Sequence, residues 1–146
     1  MNYDPHSLQQ MIIVENMIHK KFLGVWLIGA AALRMLSVFI GIFKPSIFKD
    51  KVYRLRPDQV NPLQGRTFSA WTLVTCMLCV CTALRMEEPT LYLATLGSFV
   101  IAFLKFSGEF FIYKTVDLKG FMSPLVISTI SIVWMALGWG SYSSYD

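Results

Sequence analysis

The chain has 146 residues, of which 55 % are hydrophobic and only 15 % are charged. An ordinary soluble domain carries roughly a quarter charged residues, and a globule of this composition would expose large apolar patches to water. The composition therefore argues against a soluble domain and favours a single membrane domain over residues 1–146. The formal charge of +4 does not indicate nucleic-acid binding, because the largest group of basic residues, six of the thirteen, lies in one loop between apolar segments.

Four apolar segments predict transmembrane helices. The first, residues 22–43, exceeds the ~30 Å hydrocarbon core at ~1.5 Å per residue. The second, residues 67–84, is near the lower length limit, so we expect it to begin earlier, near residue 63. The third and fourth segments cover residues 91–113 and 121–139.

The loops predict how these segments are arranged. Only the basic loop 44–66 is substantial, whereas the connections 85–90 and 114–120 are short. Because short connections make neighbouring helices antiparallel, we predict an all-α integral membrane protein with four transmembrane helices in an antiparallel up-down bundle. Residues 8–19 are predicted either as a short helix on the membrane surface or as a partly ordered tail.

Local signals mark two helix starts. Glu87 and Glu88 precede the third segment, where acidic side chains suit the positive end of the helix dipole. Ser123-Pro124 matches an N-cap followed by proline at the first helical position. Taken alone, this dipeptide places the start of the fourth helix at Pro124.

The distribution of basic residues predicts the orientation in the membrane. The N-terminal tail, the second loop and the C-terminal tail together carry three Lys and Arg residues, whereas the first and third loops carry eight. The excess of positive charge on cytoplasmic loops favours the eight-charge side as cytosolic and both termini as lumenal.

Three ionisable residues are predicted inside the hydrocarbon: Arg34, Lys105 and Glu109. An unpartnered charge there costs about 2.5–3.5 kcal/mol, so each should face the bundle interior or a partner. Lys105 and Glu109 are spaced i, i+4 and can meet on one helix face, which predicts an intramembrane polar pair. Arg34 is expected either to neighbour Glu109 or to extend toward the membrane surface.

Other chemistry-bearing residues do not form a catalytic set. Cys76, Cys79 and Cys81 lie in one apolar helix without a fourth ligand nearby, so we expect helix contacts and no metal site or disulfide framework. His6 and His19 are the only histidines, too few for the histidine boxes of a membrane di-iron oxygenase. No phosphate loop or haem motif is present either. We therefore predict a non-enzyme without a cofactor.

Two sequence blocks carry a resemblance to a known family. Residues 60–72 read VNPLQGRTFSAWT, and residues 90–115 read TLYLATLGSFVIAFLKFSGEFFIYKT. In this order and spacing the blocks resemble the ergosterol biosynthetic protein 28 family, over roughly residues 22–139. The resemblance implies a non-catalytic, multi-pass protein of the endoplasmic reticulum membrane. Such proteins hold together three enzymes: the sterol C-4 methyl oxidase, the sterol C-3 dehydrogenase/decarboxylase and the 3-keto sterol reductase.

The resemblance also implies where partners bind. The positions that match the first block are the candidates for a partner-facing surface at the entry to the second span: Asn61, Leu63, Gln64, Arg66, Thr67, Phe68, Trp71 and Thr72. Arg66 would suit a phosphate headgroup equally well. Membrane lipid is a further expected partner, nucleic acid is not, and self-association is left open. The alternative function is a small transporter or sterol-binding carrier that uses the Lys105/Glu109 pair.

The chain departs from the family pattern at two places. Family members often carry histidine where this chain has Lys105, which favours a structural role for this residue over a proton-linked one. Some members end in a basic retrieval signal that requires a cytosolic C-terminus, whereas this chain ends Ser143-Ser144-Tyr145-Asp146. The family tail therefore conflicts with the orientation predicted from the charge count.

Overall fold

The computed structural model describes residues 5–142, and this part of the chain is helical without strands. Its elements are α1 (Pro5–Phe43), α2 (Ser46–Lys51), a 3₁₀ turn (Pro57–Gln59), α3 (Pro62–Leu84), α4 (Pro89–Phe111) and α5 (Leu118–Tyr142). Helices α1, α3, α4 and α5 are each long and apolar enough to cross a bilayer. This confirms the predicted all-helical membrane class and the expectation of four spanning segments.

Helix α1 is longer than the sequence pattern predicted. Its 39 residues extend about 58 Å at helical rise, well beyond the thickness of a hydrocarbon core. Residues 8–19, predicted as a separate surface helix or a tail, are instead continuous with the first span. No glycine or proline interrupts residues 6–23, and the lysines at positions 20 and 21 are good helix formers.

Helix α5 also begins earlier than its Ser123-Pro124 signal indicates. It starts at Leu118 because Asp117 acts as the N-cap, with its Oδ1 accepting a hydrogen bond from the Gly120 amide at 2.9 Å. Pro124 therefore lies inside the helix, where it removes one backbone hydrogen bond. An effective cap earlier in the chain outweighs this local signal.

Buried polar side chains connect the long helices. Trp26 Nε1 of α1 donates to Ser131 Oγ of α5 at 2.9 Å. The hydroxyls of Thr82 in α3 and Thr95 in α4 are 2.7 Å apart. Hydroxyl-bearing side chains are common at helix contacts in membranes, where a hydrogen bond satisfies a group that lipid cannot.

The loop between α1 and α3 folds back onto the helix ends. Phe48, Tyr53 and Val60 from this loop are buried against Val116 and Phe121 near the α4–α5 connection. An ion pair of 3.3 Å between Arg54 and Asp117 joins the same two segments. The loop is therefore part of the packed structure, and it delivers Tyr53 to the inside of the bundle.

Candidate functional site

The entry to α3 is fixed by a local capping arrangement. Asn61 is the N-cap, and its Oδ1 accepts a hydrogen bond from the Gln64 amide at 2.8 Å. Pro62 occupies the first helical position, where its missing N–H costs nothing. Asn61 and the backbone of Gln64 thus set where α3 begins, while the Gln64 side chain is half-buried.

The inner face of this entry packs closely on α1. A Cβ added to Gly65 would lie 2.6 Å from the carbonyl oxygen of Gly41, so only glycine allows this approach. Ser69 Oγ donates to the Val38 carbonyl oxygen at 3.0 Å. The ring of Phe68 packs edge-on against Phe48, with centroids 5.2 Å apart. One turn further along α3, the side chain of Thr72 is also buried.

The outer face of the same turns is exposed. It carries a stripe that we call the outer stripe: Leu63, Arg66, Thr67 and Trp71. These residues follow helical spacing, so they share one side of α3. Leu63 is 64 % and Trp71 is 42 % exposed. The eight predicted partner-facing residues therefore divide into an outward group of four and a second group that caps or packs the helix.

A cavity of about 420 Å³ lies between the helices beside α3, and Trp71 of the outer stripe is among the residues that line it. We call it the central cavity. Every helix contributes to its wall, including Arg34 and Ile40 from α1, Phe48 from α2, Phe68 and Thr75 from α3, Ser98, Phe99, Lys105 and Phe106 from α4, and Ser128 from α5. Tyr53 from the folded loop also lines it.

Arg34 extends into the bundle instead of toward the membrane surface. Its Nη1 donates to the Thr75 carbonyl oxygen at 3.0 Å and to Ser98 Oγ at 3.3 Å, and it also contacts Cys79 Sγ at 3.4 Å. The guanidinium lies 4.2 Å above the centroid of the Phe99 ring. Arg34 thus joins α1, α3 and α4. Both expectations for Arg34 were wrong, because its contacts lie inside the bundle and none of these contacts is with Glu109.

Lys105 and Glu109 also have partners other than each other. Lys105 Nζ donates to the Tyr53 hydroxyl at 2.8 Å and lies 4.8 Å from the Phe106 ring centroid. Glu109 Oε2 accepts a hydrogen bond from Thr115 Oγ1 at 2.5 Å. Although their spacing permits contact, the folded loop and the chain after α4 supply closer partners. Lys105 lines the central cavity, whereas Glu109 is not among its lining residues.

Sequence reasoning missed three important residues. Gly65 and Ser69 form a small-xxx-small pattern, which is a recognised signal for close helix approach in membranes, and the pattern could have identified this contact. Tyr53 carried no such signal, because it meets Lys105 from 52 positions away in the chain.

Comparisons with known proteins agree with one another. Residues 23–133 match the family described as Erg28 like protein. The chain is 37 % identical over 121 residues to ergosterol biosynthetic protein 28 of Arabidopsis thaliana, which covers 83 % of this chain and 92 % of that protein. It is 33 % identical over 123 residues to the Homo sapiens homolog, covering 81 % and 87 % of the two chains.

A fungal relative gives a shorter match. Identity to ergosterol biosynthetic protein 28 of Saccharomyces cerevisiae is 40 % over 86 residues, or 58 % of each chain. No solved structure matches. The family and its relatives confirm the resemblance carried by the two sequence blocks.

Proposed function

We propose that this chain, which belongs to the Erg28-like family of ergosterol biosynthesis proteins, is a non-catalytic membrane scaffold for sterol C-4 demethylation. Its partners are the sterol C-4 methyl oxidase, the sterol C-3 dehydrogenase/decarboxylase and the 3-keto sterol reductase, and its location is the endoplasmic reticulum membrane. Family membership is the observation that carries this proposal.

The physical benefit of such a scaffold is a high effective concentration. Binding successive enzymes to one small protein makes each transfer of an intermediate nearly intramolecular. A sterol intermediate is poorly soluble and diffuses through a large membrane area, so the next active site should be close. A protein of four spans is large enough to present several lateral surfaces to such enzymes.

The outer stripe is the surface that we assign to partner contact. The opposite side of α3 is already occupied by Gly41 and Phe48, so only the exposed side is free to bind another protein. Tryptophan and arginine dominate the energetics of many protein interfaces, and the stripe contains Trp71 and Arg66. A phosphate headgroup is the competing ligand of Arg66.

A pair of double variants tests the stripe. We expect Arg66→Ala with Trp71→Ala to reduce recovery of at least one of the three enzymes by affinity purification in mild detergent. The matched control is Leu84→Ala with Arg85→Ala, which changes exposed residues at the opposite end of the same helix. Equal enzyme recovery by both double variants would remove the outer stripe from the interface.

We also propose that the four spans form an antiparallel up-down bundle with both termini lumenal. Contacts between α1 and α3 support the antiparallel part, because Val38 meets Ser69 whereas Ala31 meets Cys76, further along α3. The charge count supports the orientation. Glycosylation sites appended to each terminus test it, and modification of neither terminus would reverse the proposed orientation.

The central cavity favours a second candidate function, a sterol-binding carrier or small transporter. In such a carrier Lys105 would bind the transported molecule together with Arg34 and not with Glu109, because Glu109 does not line the cavity. Transport of sterol between vesicles by the purified protein alone would favour the carrier. Dependence of sterol conversion on co-assembled enzymes, without such transport, would favour the scaffold.

A further inference from the structure

Four cationic side chains line the central cavity: Arg34, Lys51, Lys105 and Lys119. Lys51 and Lys119 are exposed, whereas Arg34 and Lys105 are partly buried, and the hydrogen-bond partners of these two are neutral. Arg34 bonds to hydroxyl, carbonyl and thiol groups, and Lys105 bonds to a tyrosine hydroxyl. The ion pairs within the described part of the chain involve other residues: Glu15 with His19, Lys20 with Glu87, and Arg54 with Asp117. The cavity therefore has an excess of positive charge.

The two partly buried cations face the same space from different depths. Arg34 contacts Ser98, and Ser98 lies seven residues before Lys105 on α4, which is about two turns or ~10 Å of helical rise. Residues seven apart share a helix face. Phe99 lies beneath the Arg34 guanidinium and Phe106 lies beside the Lys105 ammonium. Each of these two cations therefore adjoins an apolar aromatic ring.

This combination selects a particular kind of ligand. Charge buried in an apolar bundle is costly without an opposite charge, so an anion gains more here than a neutral molecule of the same shape. Aromatic and aliphatic walls favour a ligand whose remainder is apolar and rigid. A volume of about 420 Å³ lies within the ~300–1,000 Å³ typical of sites for small organic ligands.

We propose that the central cavity binds a sterol carboxylic acid, with the carboxylate paired to Lys105 and with Arg34 adding positive charge at a different depth of the same cavity. The chemical identity rests on the proposed function: a route that contains a C-4 methyl oxidase and a decarboxylase must pass through a C-4 carboxylated sterol. The oxidase supplies this acid and the decarboxylase consumes it. Binding would therefore retain the anionic intermediate at the scaffold between the two reactions.

The donors in the cavity suit a carboxylate. Arg34 bonds to the protein through Nη1, and a guanidinium has five N–H donors in a planar fork that suits anionic oxygens. Tyr53 holds the Lys105 ammonium from one side, which leaves its other N–H bonds for a ligand. Side chains at the cavity wall that are also exposed, Leu33, Leu36 and Trp71, mark a route from the lipid.

The test is equilibrium binding to the purified full-length chain in phosphatidylcholine nanodiscs. The probes are a radiolabelled 4-carboxysterol and its methyl ester, which has the same rings but no charge. Since hydrogen bonds to a charged group are stronger than those between neutral groups, we expect the acid to bind at least about tenfold more tightly than the ester. Equal binding of acid and ester would overturn the proposal, and this comparison needs no variant.

Variants then locate the binding. Lys105→Gln should weaken acid binding by about tenfold while leaving ester binding unchanged, and Lys105→Arg should restore most of the affinity. The matched control Lys49→Gln removes an exposed lysine outside the cavity and should not change binding. Unchanged acid affinity in a correctly folded Lys105→Gln variant would overturn the assignment to this cavity.

Competition identifies the class of anion. Oleate carries a carboxylate on a flexible chain, and phosphatidylserine carries its anionic headgroup on a lipid. Displacement of the sterol acid by either at equal concentration would overturn the assignment to a sterol. The binding assay contains no enzyme, so loss of acid preference rejects only this inference, whereas failure to recover the enzymes rejects only the scaffold.

Discussion

The close contact between α1 and α3 allows a quantitative prediction about Gly41. A Cβ added at this position would lie 2.8 Å from the Gly65 carbonyl oxygen and 3.1 Å from a ring carbon of Phe48, and it would also clash with Ser69 Oγ. A backbone oxygen cannot rotate away as a flexible side chain can. Gly41→Ala must therefore push the two helices apart.

The expected cost can be separated from helix propensity by a matched variant. Alanine is favoured over glycine inside a helix by about 1 kcal/mol, and this gain applies equally to Gly29, which has nothing within 4 Å of its added Cβ. Overpacking costs about 1–3 kcal/mol. Gly41→Ala should thus be less stable than Gly29→Ala by about 1–3 kcal/mol, or roughly 5- to 150-fold in the unfolding equilibrium.

The assay is reversible unfolding of each variant in mixed micelles with increasing sodium dodecyl sulfate, followed by circular dichroism. Gly29→Ala should be at least as stable as the parent chain, and Gly41→Ala should be less stable than both. Equal stability of the two variants would refute the reasoning that α1 and α3 touch through their backbones at this point.

Three further predictions use other contacts. In a double-mutant cycle, Thr82→Val and Thr95→Val should show a coupling of about 0.6 kcal/mol, the average for such bonds in a membrane protein, and additive unfolding energies would contradict the 2.7 Å contact. Asp117→Ala should destabilise the fold by about 0.5–2 kcal/mol through loss of the α5 cap, whereas Asp117→Asn should cost less because it still caps; equal losses would contradict the capping role. Glu87 lies outside the spans, and its pKa is lowered by a hydrogen bond from its own amide and then by Lys20. The ion pair between Lys20 and Glu87 is therefore fully stabilising above the ordinary glutamate pKa, and it is lost as pH falls through the lowered pKa. Lys20→Met should raise the Glu87 pKa in an NMR titration, and an unchanged value would contradict the pairing.

The sequence predicted those parts of the fold that depend on length and composition. Four apolar segments had to form four helices, because a bilayer requires every backbone group to be satisfied within the segment. The start of α3 was expected near residue 63 and lies at Pro62, where an asparagine and a proline provide strong local signals. Local signals failed for α5, since a serine-proline pair competed with a cap six residues earlier.

The partners of the charged residues were not predictable in the same way. Helical spacing showed that Lys105 and Glu109 could meet, but it contained no information about Tyr53, which arrives on a folded loop. Arg34 was predicted inside a span, and its contacts come from α3 and α4. Such contacts depend on the packing of distant segments. Only the structure showed that Arg34 and Lys105 line one cavity.

Recovery of the three sterol C-4 enzymes with the tagged full-length chain tests the scaffold most directly. The chain is purified from its native membranes in mild detergent, and bound proteins are quantified by mass spectrometry against a tagged membrane protein of equal abundance. The scaffold predicts enrichment of the methyl oxidase, the dehydrogenase/decarboxylase and the reductase together. Recovery of none of these enzymes, from a chain that remains folded and monodisperse, would contradict the account.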